Sequence, residues 1–401
     1  MRVGLKDIQQ ARQRLQGVLH ETQTDLSSSA SQVVGSDVFF KYENTQLTGS
    51  FKIRGAFNKI SSLTDSEKKR GVVASSAGNH AQGVALSAKL LGTKATIVMP
   101  VGASLNKVSA TRSYGAEVVL HGAFYDEAYA KAREIEKETG AVFVHPYEDP
   151  FIVAGQGTVA LEILEKVPDL DSIVVAIGGG GLISGIATAI KALRPQCRVI
   201  GVQTESAPSM AKLFRGESDE TQGGPQTIAD GIAVKNPSQE IFESFIRESV
   251  DEIVTVNDDE IAAAIVFLLE RTKNLVEGAG AVSLAAMMNR SLKLGKKTCA
   301  VLSGGNIDLN VIAKVVTKGL IRQGRLAEFS VVANDQPGTL ELLTRILAAQ
   351  KANIMEIRHD RVGSHLSLRE AKIDFVIETM GPEHSHAIMD SLKKSGFRVL
   401  A

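Results

Sequence analysis

Lys52 stands in the stretch TGSFKIRGA, between Phe51 and an Ile53-Arg54-Gly55 run, where the pattern predicts the start of a helix. A lysine on a protein surface is ordinarily a solvated charge. Held against an apolar wall, the amine loses hydration, its pKa falls, and it becomes a nucleophile able to form a Schiff base with a carbonyl. A second stretch, GGGGLISG at 178–185, follows the apolar run SIVVAI and precedes the helix-like ATAIKALR. Consecutive glycines after a strand let backbone N–H groups converge on an anion at a helix N-terminus, where the helix dipole also favours negative charge. Phosphate is the natural guest, and Gly178, Gly179, Gly180, Gly181 and Leu182 are the residues that would hold it. A structural turn alone does not call for four glycines in a row. A dinucleotide fingerprint, G-x-G-x-x-G, fails in both registers because Ile183 or Ser184 occupies its third glycine, which removes a nicotinamide-dependent oxidoreductase.

Two further strand ends carry polar groups. In SSAGNHAQG, at 75–83, the small residues Ser76, Ala77 and Gly78 would expose N–H groups to a substrate carboxylate, and Asn79 offers an amide. His80 is either part of that surface or a satisfied histidine behind it, and the whole motif could be a helix cap. In VLSGGNID, Ser303 ends another apolar run; alone it says little.

Elements must bring these four motifs together. Between 37 and 145 the strand candidates DVFFKYE, GVVASS, ATIVMP, AEVVLHG and AVFVH alternate with helix-like stretches, and a second series follows with SIVVAIGG, RVIGVQTE and TCAVLSGG. Such alternation predicts α/β layers on mainly parallel sheets, with ligands gathered at the C-terminal ends of the strands. The expected catalytic part, 1–322, has a small lobe at about 37–145 inserted in a large one. After the polar LIRQGR the pattern changes to βαββαβ, the ferredoxin-like order, over 326–401, with a boundary near Gly324.

Bulk properties exclude several classes. Lys plus Arg and Asp plus Glu both total 45, so no global field draws nucleic acid or an anionic membrane. No apolar run reaches the ~18 residues of a membrane span, and the charged amphipathic opening MRVGLKDIQQARQRLQ does not read as a signal peptide. Cys197 and Cys299 show no metal-ligand or redox spacing, which suits a reduced, cytoplasmic protein with core thiols.

Lys52 in SFKIRGA, the SAGNHAQG loop, GGGGL and the late SGGN, in this order, resemble the fold-type II pyridoxal-phosphate family, in its threonine dehydratase and serine racemase branch. The likeness spans about 5–320, and the C-terminal segment with its NDQPGTL turn resembles an ACT domain, a module that often binds amino acids. The resemblance implies that Lys52 holds pyridoxal 5'-phosphate as an internal aldimine, 178–182 grips its phosphate, Phe51 packs on the ring, Asn79 meets the ring hydroxyl and Ser303 faces the pyridine nitrogen. Glu277 in VEGAGA approaches the same site in relatives.

The implied reaction is dehydration and deamination of L-threonine or L-serine, Lys52 removing the Cα proton once substrate frees it. Racemisation is the rival; racemases of the branch carry a serine where this chain has Ala77. A non-catalytic amino-acid sensor is the alternative from another class, opposed by the presence of Lys52. Metal-binding relatives use acids after the strand ending near Glu205, but their later acid aligns with Ala211, so no metal is expected. For the ACT-like segment, Asp335, Pro337 and Gly338 mark an effector site for a small apolar amino acid such as isoleucine or valine, since the family's dehydratase step feeds isoleucine biosynthesis. The alternative is a module that only joins subunits of a homodimer or homotetramer.

Overall fold

The computed structural model describes residues 1–218, 224, 226–362 and 366–400. Their contacts divide the chain into two compact units, Met1–Asp308 and Leu309–Ala401.

The first unit opens with helix α1, Leu5–Leu15, whose Ile8, Ala11 and Leu15 follow helical spacing and are buried. Strands β1 (Thr24–Leu26) and β2 (Asp37–Lys41) come next, then α2 (Lys52–Ser61), β3 (Val72–Ser75), α3 (Asn79–Leu90), β4 (Ala95–Met99), β5 (Glu117–Leu120) and β6 (Val142–Phe143). After α4 (Pro150–Lys166) the chain continues through β7 (Ser172–Ala176), α5 (Gly181–Leu193), β8 (Arg198–Thr204), β9 (Glu252–Val256), α6 (Gly278–Asn289) and β10 (Lys297–Val301), with further helices between them.

The strands form a six-stranded sheet, β1-β2-β10-β7-β8-β9, and a four-stranded one, β5-β4-β3-β6. All pairings are parallel except β1 with β2. Every residue of β3 (VVAS) and β7 (SIVVA) is buried, as expected of parallel strands covered on both faces. The smaller sheet lies within the larger sheet's sequence, but it begins later than expected. Asp37–Lys41 pairs with β10 and β1 in the large sheet, and the inserted sheet starts at Val72. Alternation marks DVFFK as a strand; which sheet it joins depends on Lys297–Val301, far along the chain.

The second unit consists of α7 (Leu309–Arg322), β11 (Leu326–Asn334), α8 (Thr339–Ala349), β12 (Asn353–Asp360), β13 (Glu370–Glu378), α9 (Pro382–Lys394) and β14 (Arg398–Leu400). Its antiparallel sheet, β12-β13-β11-β14, buries Ala371, Ile373, Phe375 and Ile377 of β13 in period two, and Phe329 stacks on Phe375 at 5.5 Å. The division between units falls ahead of α7, whereas the change of composition lies at Gly324, which turns the chain from α7 into β11 with φ +65°. No helix among the described residues is long and apolar enough to cross a membrane.

Candidate active site

Lys52 is the first residue of α2. The chain reaches it alongside the segment just past the C-terminal end of β10, for Ser50 bridges Gly304 and the Phe51 N–H donates to the Ser303 carbonyl at 3.1 Å. Lys52 is half-buried, its Nζ donates to the Pro146 carbonyl at 3.0 Å, and it lies 5.3 Å from the centre of the Phe51 ring. Burial lowers the ammonium to about 8, against the opposing pull of Glu277. Gly83 on α3 lets α2 approach, since a Cβ there would lie 3.1 Å from the Ile53 nitrogen.

The glycine loop connects β7 to α5. Gly180 has φ +93°, and no side chain caps the helix. Gly178, Gly179 and Gly180 donate no backbone hydrogen bond to any described residue, and the first-turn donors of α5 also point out of the helix. Crowding explains the glycines: a Cβ at Gly179 would run into the Tyr147 ring, one at Gly181 would lie 2.9 Å from Tyr147 Cβ, and one at Gly180 would lie 2.5 Å from Ile241 Cγ2. The segment 145–147 therefore meets Lys52 through Pro146 and the glycine loop through Tyr147.

Across the cleft, β3 runs into α3, which starts at Asn79 without a side-chain cap, while Ser76 Oγ accepts the Gly78 N–H at 3.2 Å. Asn79 Nδ2 donates to Glu277 Oε1 at 2.7 Å, and Asn79 Oδ1 accepts from Asn306 Nδ2 at 2.7 Å. One amide hydrogen of Asn79 is left over. Burial, and after it the Asp230 carboxylate, push Glu277 up to about 7, with the Asn79 bond opposing. Ser303 is buried, and its Oγ lies 3.3 Å from the Ala279 carbonyl, to which it donates. The hydroxyls of Ser50 and Ser75, both flanking these loops, are buried and have no partner among the described residues.

Lys52, Phe51, Asn79, Ser303 and the glycine loop thus share one cleft, with Ser76, Ala77 and Gly78 half-buried along it. His80 is set apart. Its ring is buried with Nε2 2.8 Å from the Val144 carbonyl, and burial, then Lys52, push its pKa down to about 3, so the neutral ring serves the scaffold. Asp335 is also committed: it accepts from Arg361 Nε at 2.9 Å, and its N–H donates to the Arg369 carbonyl. Glu205 is paired with Arg290 at 3.1 Å, and Ala211 is buried. Cys197 and Cys299 are buried, their thiols pushed up to about 12 by burial.

Sequence reasoning missed Pro146, Tyr147 and Asn306. The last sits in the recognised SGGN, but a proline carbonyl and a packing ring leave no signal of their own. A cavity of about 810 Å³ lies away from this cleft, lined by α1 residues such as Gln9 and Gln13 and by Arg54, Thr158 and Glu162. It holds none of the candidate site residues.

The profile of a family described as "Pyridoxal-phosphate dependent enzyme" matches residues 18–304. An L-threonine ammonia-lyase of Thermotoga maritima is 50% identical over 398 residues, 99% of each chain. The L-threonine dehydratase catabolic TdcB of Escherichia coli (strain K12) is 48% identical over 316 residues, 78% of this chain and 96% of the relative. Among solved structures, maize serine racemase superposes with a TM-score of 0.74 at 36% identity, covering 80% of this chain and 99% of that one. The processed form of threonine deaminase isoform 2 from Solanum lycopersicum gives 0.72 at 34% identity, covering 79% and 90%.

Proposed function

This chain belongs to the pyridoxal-phosphate-dependent enzymes, and from that premise we propose that it is a threonine ammonia-lyase, converting L-threonine, and L-serine as well, to a 2-oxo acid and ammonia. One observation carries the reading: the Lys52 amine, driven toward its neutral form by burial, is tied to the same short segment that walls the glycine loop. Full-length similarity to an ammonia-lyase supports the reaction type.

The residues suit the cofactor. Unpaired N–H groups at 178–182 match a phosphate dianion, and the Phe51 ring beside Lys52 offers an apolar face. When bound, pyridoxal phosphate supplies an electrophilic carbonyl and a ring that withdraws electrons from the substrate Cα. Asn79's remaining N–H would hold the ring hydroxyl, while Glu277 and Asn306 fix the amide's orientation. Ser303, its proton turned to Ala279, would present a neutral oxygen to the ring nitrogen, and a neutral partner would stabilise positive charge there less than a carboxylate. Of the N–H groups at 76–79, Ser76 donates to the Val98 carbonyl and Gly78 to Ser76 Oγ, so those of Ala77 and Asn79 are the ones left to receive the substrate carboxylate, and Lys52 Nζ takes the Cα proton. Ala77 has no proton to deliver to the opposite face, which disfavours racemisation.

The second unit is an ACT domain in this reading, binding isoleucine or valine at the N–H groups of Gly338, Leu340 and Glu341 beyond Pro337, because its βαββαβ order leaves that helix start open. The test is steady-state release of 2-oxo acid from L-threonine and L-serine by wild type and Lys52→Ala, with and without isoleucine or valine. Wild type is expected to turn over threonine and respond to an effector by roughly 5- to 150-fold in affinity. Lys52→Ala is expected to lose turnover while folding normally. Retained activity in that variant removes Lys52 from its role, and no response to either amino acid removes the regulatory part.

A further inference from the structure

Arg54 lies two residues beyond Lys52 on α2 and is 1% exposed. All five of its N–H groups are committed. Nε and Nη2 grip Glu43 at 2.7 and 2.8 Å, Nη1 and Nη2 grip Glu162 at 2.5 and 2.8 Å, and Nη1 also reaches Thr158 Oγ1 at 3.1 Å. Glu43 follows β2, whereas Thr158 and Glu162 belong to α4. Lys41 on β2 completes the group, donating to Glu162 at 2.5 Å and to the Thr22 carbonyl at 2.6 Å. Two cations and two carboxylates are thus buried together.

Such a cluster is a poor way to gain stability, because desolvation offsets its attraction and well-packed apolar residues of the same volume do as well or better. What it supplies is direction. A planar fork bonded on both edges fixes rotation and translation together, and turning α2 by one residue would break both carboxylate pairs. The cavity of about 810 Å³ touches Arg54, Thr158 and Glu162, so close apolar packing does not do this work on that side of the cluster.

We propose that Arg54, held by Glu43, Glu162 and Thr158, is a positioning residue that aims the Lys52 amine. The inference rests on Lys52 being the cofactor-bearing amine; the fork adds the means by which a helix start, otherwise prone to fray, holds Nζ in line.

Arg54→Lys keeps the charge and loses the fork, and Thr158→Val removes one acceptor in case the first variant does not fold. Both are compared with wild type by thermal melting, by the rate at which apoenzyme mixed with pyridoxal phosphate develops its absorbance band, and by kcat and KM for L-threonine. Arg54→Lys is then combined with Lys52→Ala, with ethylamine supplying the missing amine. Folded Arg54→Lys is expected to form the band more slowly and to lose roughly ten- to hundredfold in kcat with KM nearly unchanged, since small misplacement of a reacting group has effects of that size. Thr158→Val should show the same pattern more weakly. In the Lys52→Ala background with ethylamine, Arg54→Lys should change the rescued rate less than about twofold, because no lysine remains to be aimed. Equal losses in both backgrounds, or wild-type band formation and kcat in folded Arg54→Lys, would overturn the proposal. A wild type that develops the band but does not consume threonine would refute the proposed substrate alone, and the band-formation rates would still decide the role of Arg54.

Discussion

Gly180 and Gly338 adopt nearly the same backbone conformation, φ +93° and +90°, each just before a helix that lacks a side-chain cap. Their surroundings differ. Gly180 sits in a buried run, with Ile241 Cγ2 2.5 Å from where a Cβ would stand and Tyr147 pressed on both neighbouring glycines, whereas Gly338 is exposed with nothing within 4 Å. Free N–H groups at a helix start are common to both loops. Enclosure is not, and an anion bound away from water interacts far more strongly with the same donors. A left-handed glycine before a helix is therefore a weak indicator of a tight anion site until its walls are known.

The contrast between the two loops is most easily broken at Gly179. An alanine there must displace the Tyr147 ring or the loop itself, and overpacking of a well-filled site costs about 1–3 kcal/mol. Gly179→Ala is expected to lower the melting temperature and to weaken pyridoxal phosphate binding at least roughly tenfold in an absorbance titration, the shifted donors losing about 1.4 kcal/mol or more. Wild-type affinity and stability in this variant would mean that Tyr147 yields, and that enclosure is not what distinguishes the two loops.

Much of this site was legible because each motif names a backbone need. Consecutive glycines mark a strand-to-helix anion loop, and SIVVAI and TCAVL mark buried parallel strands at which such loops gather. Less local features were not. β1 is only three residues, TDL, and exists because it pairs with β2, while EIVTV of β9 has a strand pattern that sequence reasoning passed over. Asp335 is an open candidate in NDQPG, yet Arg361 lies against it, and the sequence leaves His80 open to two readings, yet its ring lies on the Val144 carbonyl. The deciding partner is 26 residues away along the chain in the first case and 64 in the second, beyond the reach of any local motif.

Carboxylates near the two loops sharpen the contrast at a smaller energy. Asp335 is exposed and paired with Arg361, while Glu277 is buried and raised to about 7 by burial and by Asp230. A carboxyl whose folded pKa lies above its unfolded value binds more protons in the folded state between the two, so stability falls as pH rises from about 4.5 through 7, and the full cost persists above 7. Glu277→Gln removes that cost. Apoenzyme carrying it is expected to gain on the order of 1–3 kcal/mol more in urea unfolding at pH 8.5 than at pH 5. An equal effect at both values would show that Glu277 ionises freely in the folded chain.

The smallest expected effect is at Gly338. Nothing obstructs a side chain there, so Gly338→Ala meets only the intrinsic penalty of placing an L-residue at φ +90°, about 1–2 kcal/mol. It should therefore lower the melting temperature by a few degrees, and leave the pyridoxal phosphate absorbance titration within about twofold of wild type, since that penalty falls on folding and a Cβ at Gly338 touches none of the residues that would hold the cofactor. If isoleucine or valine binds at the N–H groups after Pro337, the same substitution should weaken it in calorimetry, because a loop relaxing away from positive φ no longer aims the first-turn donors of α8. A loss of cofactor affinity as large as that from Gly179→Ala would contradict the contrast directly. The two glycines would then differ in something other than the enclosure around one and the open space around the other.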